Sequence, residues 1–288
     1  CFSILMSPLY SVLNYEPIMI CLFLILILGI SHGSLDNLKG KKLLKLFGYN
    51  STLLFYIIYL TISLLIIILW IFFPNTVLML FLIVAAYHFG KEDTIFDFKK
   101  NFLISEFLFF LKGSIVIISP LLFQRDSTNE IFRFLNFNAF KSPIFSDEFL
   151  IIFLFLSFLS SVYISNKESF NLKILMIIDF LSLIILNFFL TPILAFTLYF
   201  CFLHSIRHSI TLIFELDKSF KAGFKRFIGK AIPLTLVTGF TFLIAIYFLN
   251  NFYKLDEAIY KVIFIGLASL TFPHILLEYL LEKNEKRS

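Results

Sequence analysis

Residues 52–73 read TLLFYIIYLTISLLIIILWIFF, a run without a single charged side chain. A stretch this long and this apolar has few places to go. In lipid, every backbone N–H and C=O must find its partner inside the segment, which leaves the α-helix as the spanning form. The pattern recurs along the chain. Nine stretches are predicted to cross a membrane: 18–38, 52–73, 76–90, 103–123, 147–164, 172–189, 192–214, 231–250 and 258–281. The fifth is the weakest of the nine as a span, which gives a range of eight to nine. Composition agrees: 59% of the residues are hydrophobic and only 15% charged, where soluble domains run at about 45–50% and about 25%. The expected fold is all-α, a polytopic membrane helix bundle forming one membrane-embedded domain over residues 1–288.

Lysine and arginine orient the bundle. With nine spans and the N-terminus outside, the basic stretches at 39–45, 91–100, 167–173, 218–230 and 283–287 all fall on the cytoplasmic side. Only Arg125, Arg133, Lys141 and Lys254 fall on the other. That asymmetry is the positive-inside pattern. It predicts a cytoplasmic C-terminus in a multi-pass protein of the inner (plasma) membrane. It also accounts for the net charge of +5 without a nucleic-acid partner. Residues 124–146 are polar and hold one short amphipathic piece, EIFRFLNF, suited to the membrane surface. Cys1, Cys21 and Cys201 show no CxxC or zinc spacing and read as buried thiols. No cleavable signal pattern is seen ahead of the first span.

The chain has five histidines, His32, His88, His204, His208 and His274, and all lie in or at the ends of spans one, three, seven and nine. Each of these spans runs from outside to inside. At ~1.5 Å rise per residue, the five imidazoles fall in a layer roughly 12 Å thick in the cytoplasmic half of the bilayer. A single histidine near a span end is ordinarily an interfacial or helix-contact residue. HSIRH differs, since His204 and His208 are four apart and face the same way. Ionisable residues at one depth of a membrane domain point to function.

Carboxylates stand nearby. Asp36 follows His32 by four residues and Asp93 follows His88 by five, each suited to hold the second ring nitrogen of a metal-bound histidine. Lys112, Asp179 and Arg207 also fall within spans; Lys112 and Asp179 are at matching depths for an ion pair, and Arg207 points off the face of the two HSIRH histidines. Four or five imidazoles without a thiolate suit iron, copper or zinc. No HExxH-like motif supplies the base of a zinc hydrolase. Four imidazoles on Fe(II) leave two octahedral positions open, enough for dioxygen. The residues by themselves describe a metal-dependent membrane enzyme, oxidative in character, with a lipophilic substrate.

Four motifs then carry a resemblance. GISHGSLDN resembles the HGxxD element of the Brp/Blh family of bacterial and archaeal β-carotene 15,15′-dioxygenases. YHFG with Asp93 is similar to its second motif, YFCFLHSIRH to its third (YFxxxHSxRH), and FPH at 272–274 to its C-terminal PH element. The motifs appear in the family's order over nearly the whole chain, with SHGS standing where PHGA is usual. The resemblance implies an Fe(II) enzyme that splits the central double bond of β-carotene with O2 into two retinals. It implies His32, His88, His204 and His208 as iron ligands, with Asp36 and Asp93 as orienters. His274 is expected in the substrate channel or in support of the ligands, ahead of a fifth-ligand role. Tyr87, Tyr199 and Phe200 are expected along an apolar tunnel, and Arg207 near it. Because a carotenoid is about as long as the ~30 Å hydrocarbon core, the off-centre histidine layer calls for a tilted or in-plane tunnel. A retinal-binding rhodopsin is a partner by analogy. Two other classes stay open: a haem-binding electron carrier, and a proton-coupled transporter relaying through His32, Asp36, Asp179 and Arg207.

Overall fold

The structure, a computed structural model, describes residues 18–96, 98, 102–137 and 145–285, without the side chains of Ile30, Ser31, His32, Phe102 and Glu285. Cys1 and the side chain of His32 therefore lie outside the described residues. Every regular element among them is helical: α1 (Ile18–Leu24), a π-helical turn (Ile25–Gly29), a 3-10 segment (Ile30–Leu35), α2 (Asp36–Leu46), α3 (Thr52–Phe72) and α4 (Pro74–Glu92). There follow α5 (Phe102–Gly113), α6 (Ile115–Phe123), α7 (Arg125–Phe134), α8 (Asp147–Ser165) and α9 (Phe170–Phe189). The chain closes with α10 (Pro192–Leu198), a π-helical segment (Tyr199–Ser205), α11 (Ile206–Leu216), α12 (Phe220–Leu249) and α13 (Leu255–Glu285).

Helix starts follow local chemistry. Ser51 and Ser146 accept the backbone N–H of Leu54 and Phe149, capping α3 and α8. Pro74 and Pro192 open α4 and α10, where the missing proline N–H costs nothing. Asp256 and Glu257 occupy the first turn of α13 and oppose its positive dipole end.

Seven helical stretches are long and apolar enough to cross a membrane: Thr52–Phe72, Leu103–Phe123, Asp147–Ser165, Phe170–Phe189, Pro192–Leu216, Phe220–Leu249 and Leu255–Asn284. An eighth is available if Ile18–Gly29 and Gly33–Leu46, bent by 41°, count together. The first predicted span is thus broken. Its apolar part stops at the polar SHGSLDN, the winding tightens to 3-10 there, and the lysine-rich α2 leaves in a new direction. The third predicted span is a helix, but Asn75 at one end and His88, Lys91 and Glu92 at the other leave it too polar for that set. Of the amphipathic piece predicted at 130–137, residues 130–134 belong to α7, whose Thr128, Ile131 and Phe132 are buried.

The chain divides into two compact units. One comprises Leu78–Phe200 with the residues up to Cys21; the other comprises Leu22–Val77 and Cys201–Ser288. In the first, α8 packs on α5, α6 and α9, and α9 packs on α6 and α10. Serines line the α8 side of that contact: Ser157 and Ser160 donate to the carbonyls of Lys112 and Leu108 on α5. Small hydroxyl residues let helices approach where lipid offers no hydrophobic incentive. In the second unit, α13 packs on α2, α3 and α12, while the 3-10 segment and α11 pack on α12. Leu35, Leu212, Ile213, Phe227 and Ala231 form the apolar seam there. Cys21 and Cys201 are buried and lie outside any disulfide.

Candidate metal centre

Three histidines belong to the second unit with described side chains. His204 lies in the π-helical segment and His208 one turn on, in α11. His274 is on α13, directly after Pro273. His204 and His274 are buried, and the Nε2 atoms of all three are shut away from solvent. The rings of His208 and His274 stand perpendicular with centroids 6.5 Å apart. The 3-10 segment that carries His32 is tied to the same place, because the hydroxyl of Ser205, next to His204, lies 3.4 Å from the carbonyl of Gly29. The first and third motifs therefore meet at two departures from α geometry. Single π turns inside helices recur at functional sites, since they redirect side chains that regular winding would send elsewhere.

Asp36 opens α2 and is buried. Its carboxylate faces Nδ1 of His274, at 2.8 Å from Oδ1 and 2.9 Å from Oδ2. The hydroxyl of Tyr59, from α3, lies 3.0 Å from Asp36 Oδ2 and 3.1 Å from the Leu270 carbonyl on α13, and donates its hydrogen to one or the other. Glu278, one turn beyond His274, bonds Lys39 through Oε1 at 2.7 Å; its Oε2 lies 3.6 Å from Nε2 of His274. Asn37 donates to the Tyr56 hydroxyl at 3.1 Å, so α2 is pinned to α3 at two consecutive residues.

His88 belongs to the first unit, on α4, and is buried. Phe89 meets Tyr199 edge-on at 5.4 Å, and the Tyr199 hydroxyl donates to Asp93 Oδ2 at 2.6 Å. Two expected supporting residues are thus bonded to each other. Tyr87 is half-buried beneath the Lys91 ammonium, 5.7 Å from its ring centroid, and Arg207 is half-buried on α11. The helix bearing His88 is held by a glycine crossing. A methyl group on Gly90 would collide with the Phe109 carbonyl, and one on Gly113 with that of Ala86. Beside this crossing, the buried Lys112 ammonium donates to Thr94 Oγ1 at 2.8 Å and to the Gly90 carbonyl at 3.2 Å. A cation on the last carbonyls of α4 offsets the negative end of its dipole.

The donor set suits a borderline transition metal. Imidazole nitrogens turned inward, with thiols only at Cys21 and Cys201 among the described residues, match iron, copper or zinc better than the oxygen-seeking Mg2+ or Ca2+. Sequence reasoning overlooked Tyr59, Lys39 and Glu278 as site residues. Glu278 had a readable signal in its spacing of one helical turn after His274. Tyr59 and Lys39 had none, because their places depend on how α2, α3 and α13 meet.

Comparison with known proteins agrees with the motif reading. Residues 23–282 match the sequence model of a family described as beta-carotene 15,15′-dioxygenase. A curated relative, the beta-carotene 15,15′-dioxygenase of the uncultured marine bacterium 66A03, is 29% identical over 275 residues, which cover 92% of this chain and 94% of its own. No solved structure matches.

Proposed function

The chain belongs to the β-carotene 15,15′-dioxygenase family of carotenoid-cleaving enzymes, and from that premise we propose that it uses Fe(II) and O2 to split the central 15,15′ double bond of β-carotene into two all-trans-retinals. One observation carries the reading: the family match runs over residues 23–282 and so takes in all five histidines. One O2 supplies an oxygen atom to each half of the polyene, so the reaction balances without an external reductant. Iron, when bound, supplies the activation of O2. His32, His88, His204 and His208 would hold it.

The rest falls to the chain. Tyr59 and Tyr199 keep the carboxylates of the buried Asp36 and the half-buried Asp93 in fixed places. The apolar helices exclude water and align one double bond among many similar ones, which is a matter of positioning. The nine-span arrangement, with the N-terminus outside, the C-terminus cytoplasmic and a single catalytic domain in the plasma membrane, belongs to the same proposal. So do the tilted tunnel and a retinal-binding rhodopsin as recipient.

Expression in carotene-accumulating bacterial cells tests it. The cells should lose their orange colour while retinal appears. Persistent colour over folded, iron-loaded protein would remove β-carotene as substrate. A strong Soret band on the purified protein would mark a haem carrier instead.

A further inference from the structure

His274 carries more structure than a channel-lining residue needs. A carboxylate is acceptor-only, so the ring nitrogen facing Asp36 bears the hydrogen and Nδ1–H is the donor. Both carboxylate oxygens are within hydrogen-bond distance of it. A neutral imidazole whose Nδ1 is so engaged presents its lone pair at Nε2. That nitrogen is shut away from solvent. The carboxylate is itself steadied by Tyr59, which also reaches the Leu270 carbonyl, one turn before His274 on the same helix. Glu278 Oε2, at 3.6 Å from Nε2, is too far for a hydrogen bond, and Lys39 already balances its charge.

We infer that His274 is a metal ligand through Nε2, and that Asp36 and Tyr59 are the residues that position it. Carboxylate, imidazole and metal in series is the arrangement by which proteins fix the tautomer and raise the basicity of a bound histidine. The inference rests on the iron-enzyme reading above and adds a ligand to it. The competing arrangement is a purely structural ion pair, in which protonated His274 bridges Asp36 and Glu278 and meets no metal.

The purified full-length protein is stripped, reloaded with Fe(II) and followed by iron affinity and iron-edge X-ray absorption, which counts imidazoles on the metal. His274→Ala is expected to lower iron affinity by at least roughly tenfold to a hundredfold and to remove one imidazole from the count. Added free imidazole should restore both. Asp36→Asn and Tyr59→Phe, which keep the shape of the site, should weaken iron binding by a smaller factor with the count unchanged. If His274→Ala folds and holds iron with unchanged affinity and count, the inference is overturned while the proposed function stands. If that variant fails to fold, the other two decide, and unchanged iron affinity in both overturns the inference. Unsubstituted protein that takes up no iron overturns this inference and the iron-dependent function together.

Discussion

Two imidazole nitrogens on successive turns of HSIRH, Nε2 of His204 and Nε2 of His208, are closed off from solvent. His204→Ala and His208→Ala are each expected to abolish iron retention through gel filtration, with the helical circular dichroism unchanged. Full iron content in either variant would remove that residue from the ligand set. Tyr199→Phe takes one hydrogen bond from the Asp93 carboxylate. Bonds to charged groups are worth about 1.5–3 kcal/mol, so the variant should unfold several degrees lower in detergent than the parent. At this scale the sequence was partly legible. Residue type and depth singled out the histidines and both aspartates. They did not reveal that Asp36 holds His274, because that contact joins residues 238 positions apart across α2 and α13.

Helices were the most legible feature, and their irregularities the least. A segment apolar on all sides announces its length but not its winding, since no polar stripe marks where one turn gains or loses a residue. That is why the spans at 147–164 and 172–189 emerged within a residue or two of their observed limits. It is also why the π-helical Tyr199–Ser205 went unseen; the polar Ile30–Leu35 is legible as the end of an apolar run, but nothing in its residue types marks the tighter 3-10 winding. Glycines separate packing from filler at this scale. Gly90→Ala forces the backbones of α4 and α5 apart and is expected to cost about 1–3 kcal/mol or more. Gly239, inside α12, has nothing within 4 Å of an added methyl group. Gly239→Ala should stabilise by about 0.5–1 kcal/mol. Thermal unfolding of the two variants in detergent checks both, and a Gly90→Ala protein as stable as the parent would contradict the close crossing.

For the whole molecule, composition carried the class, and motif order carried the family. A metal that the proposed chemistry needs gives a further expectation. Chelation should abolish carotenoid loss in detergent extracts, Fe(II) should restore it, and Zn(II) should not. Transport of a substrate that survives chelation would favour the relay reading instead.

The central claim is that one particular double bond is cut. Purified, Fe(II)-loaded protein is given β-carotene and O2 in detergent, and the products are separated by chromatography. The account predicts retinal as the sole cleavage product, two molecules for each β-carotene consumed. Apocarotenals of unequal length, or consumption of β-carotene without retinal, would contradict it.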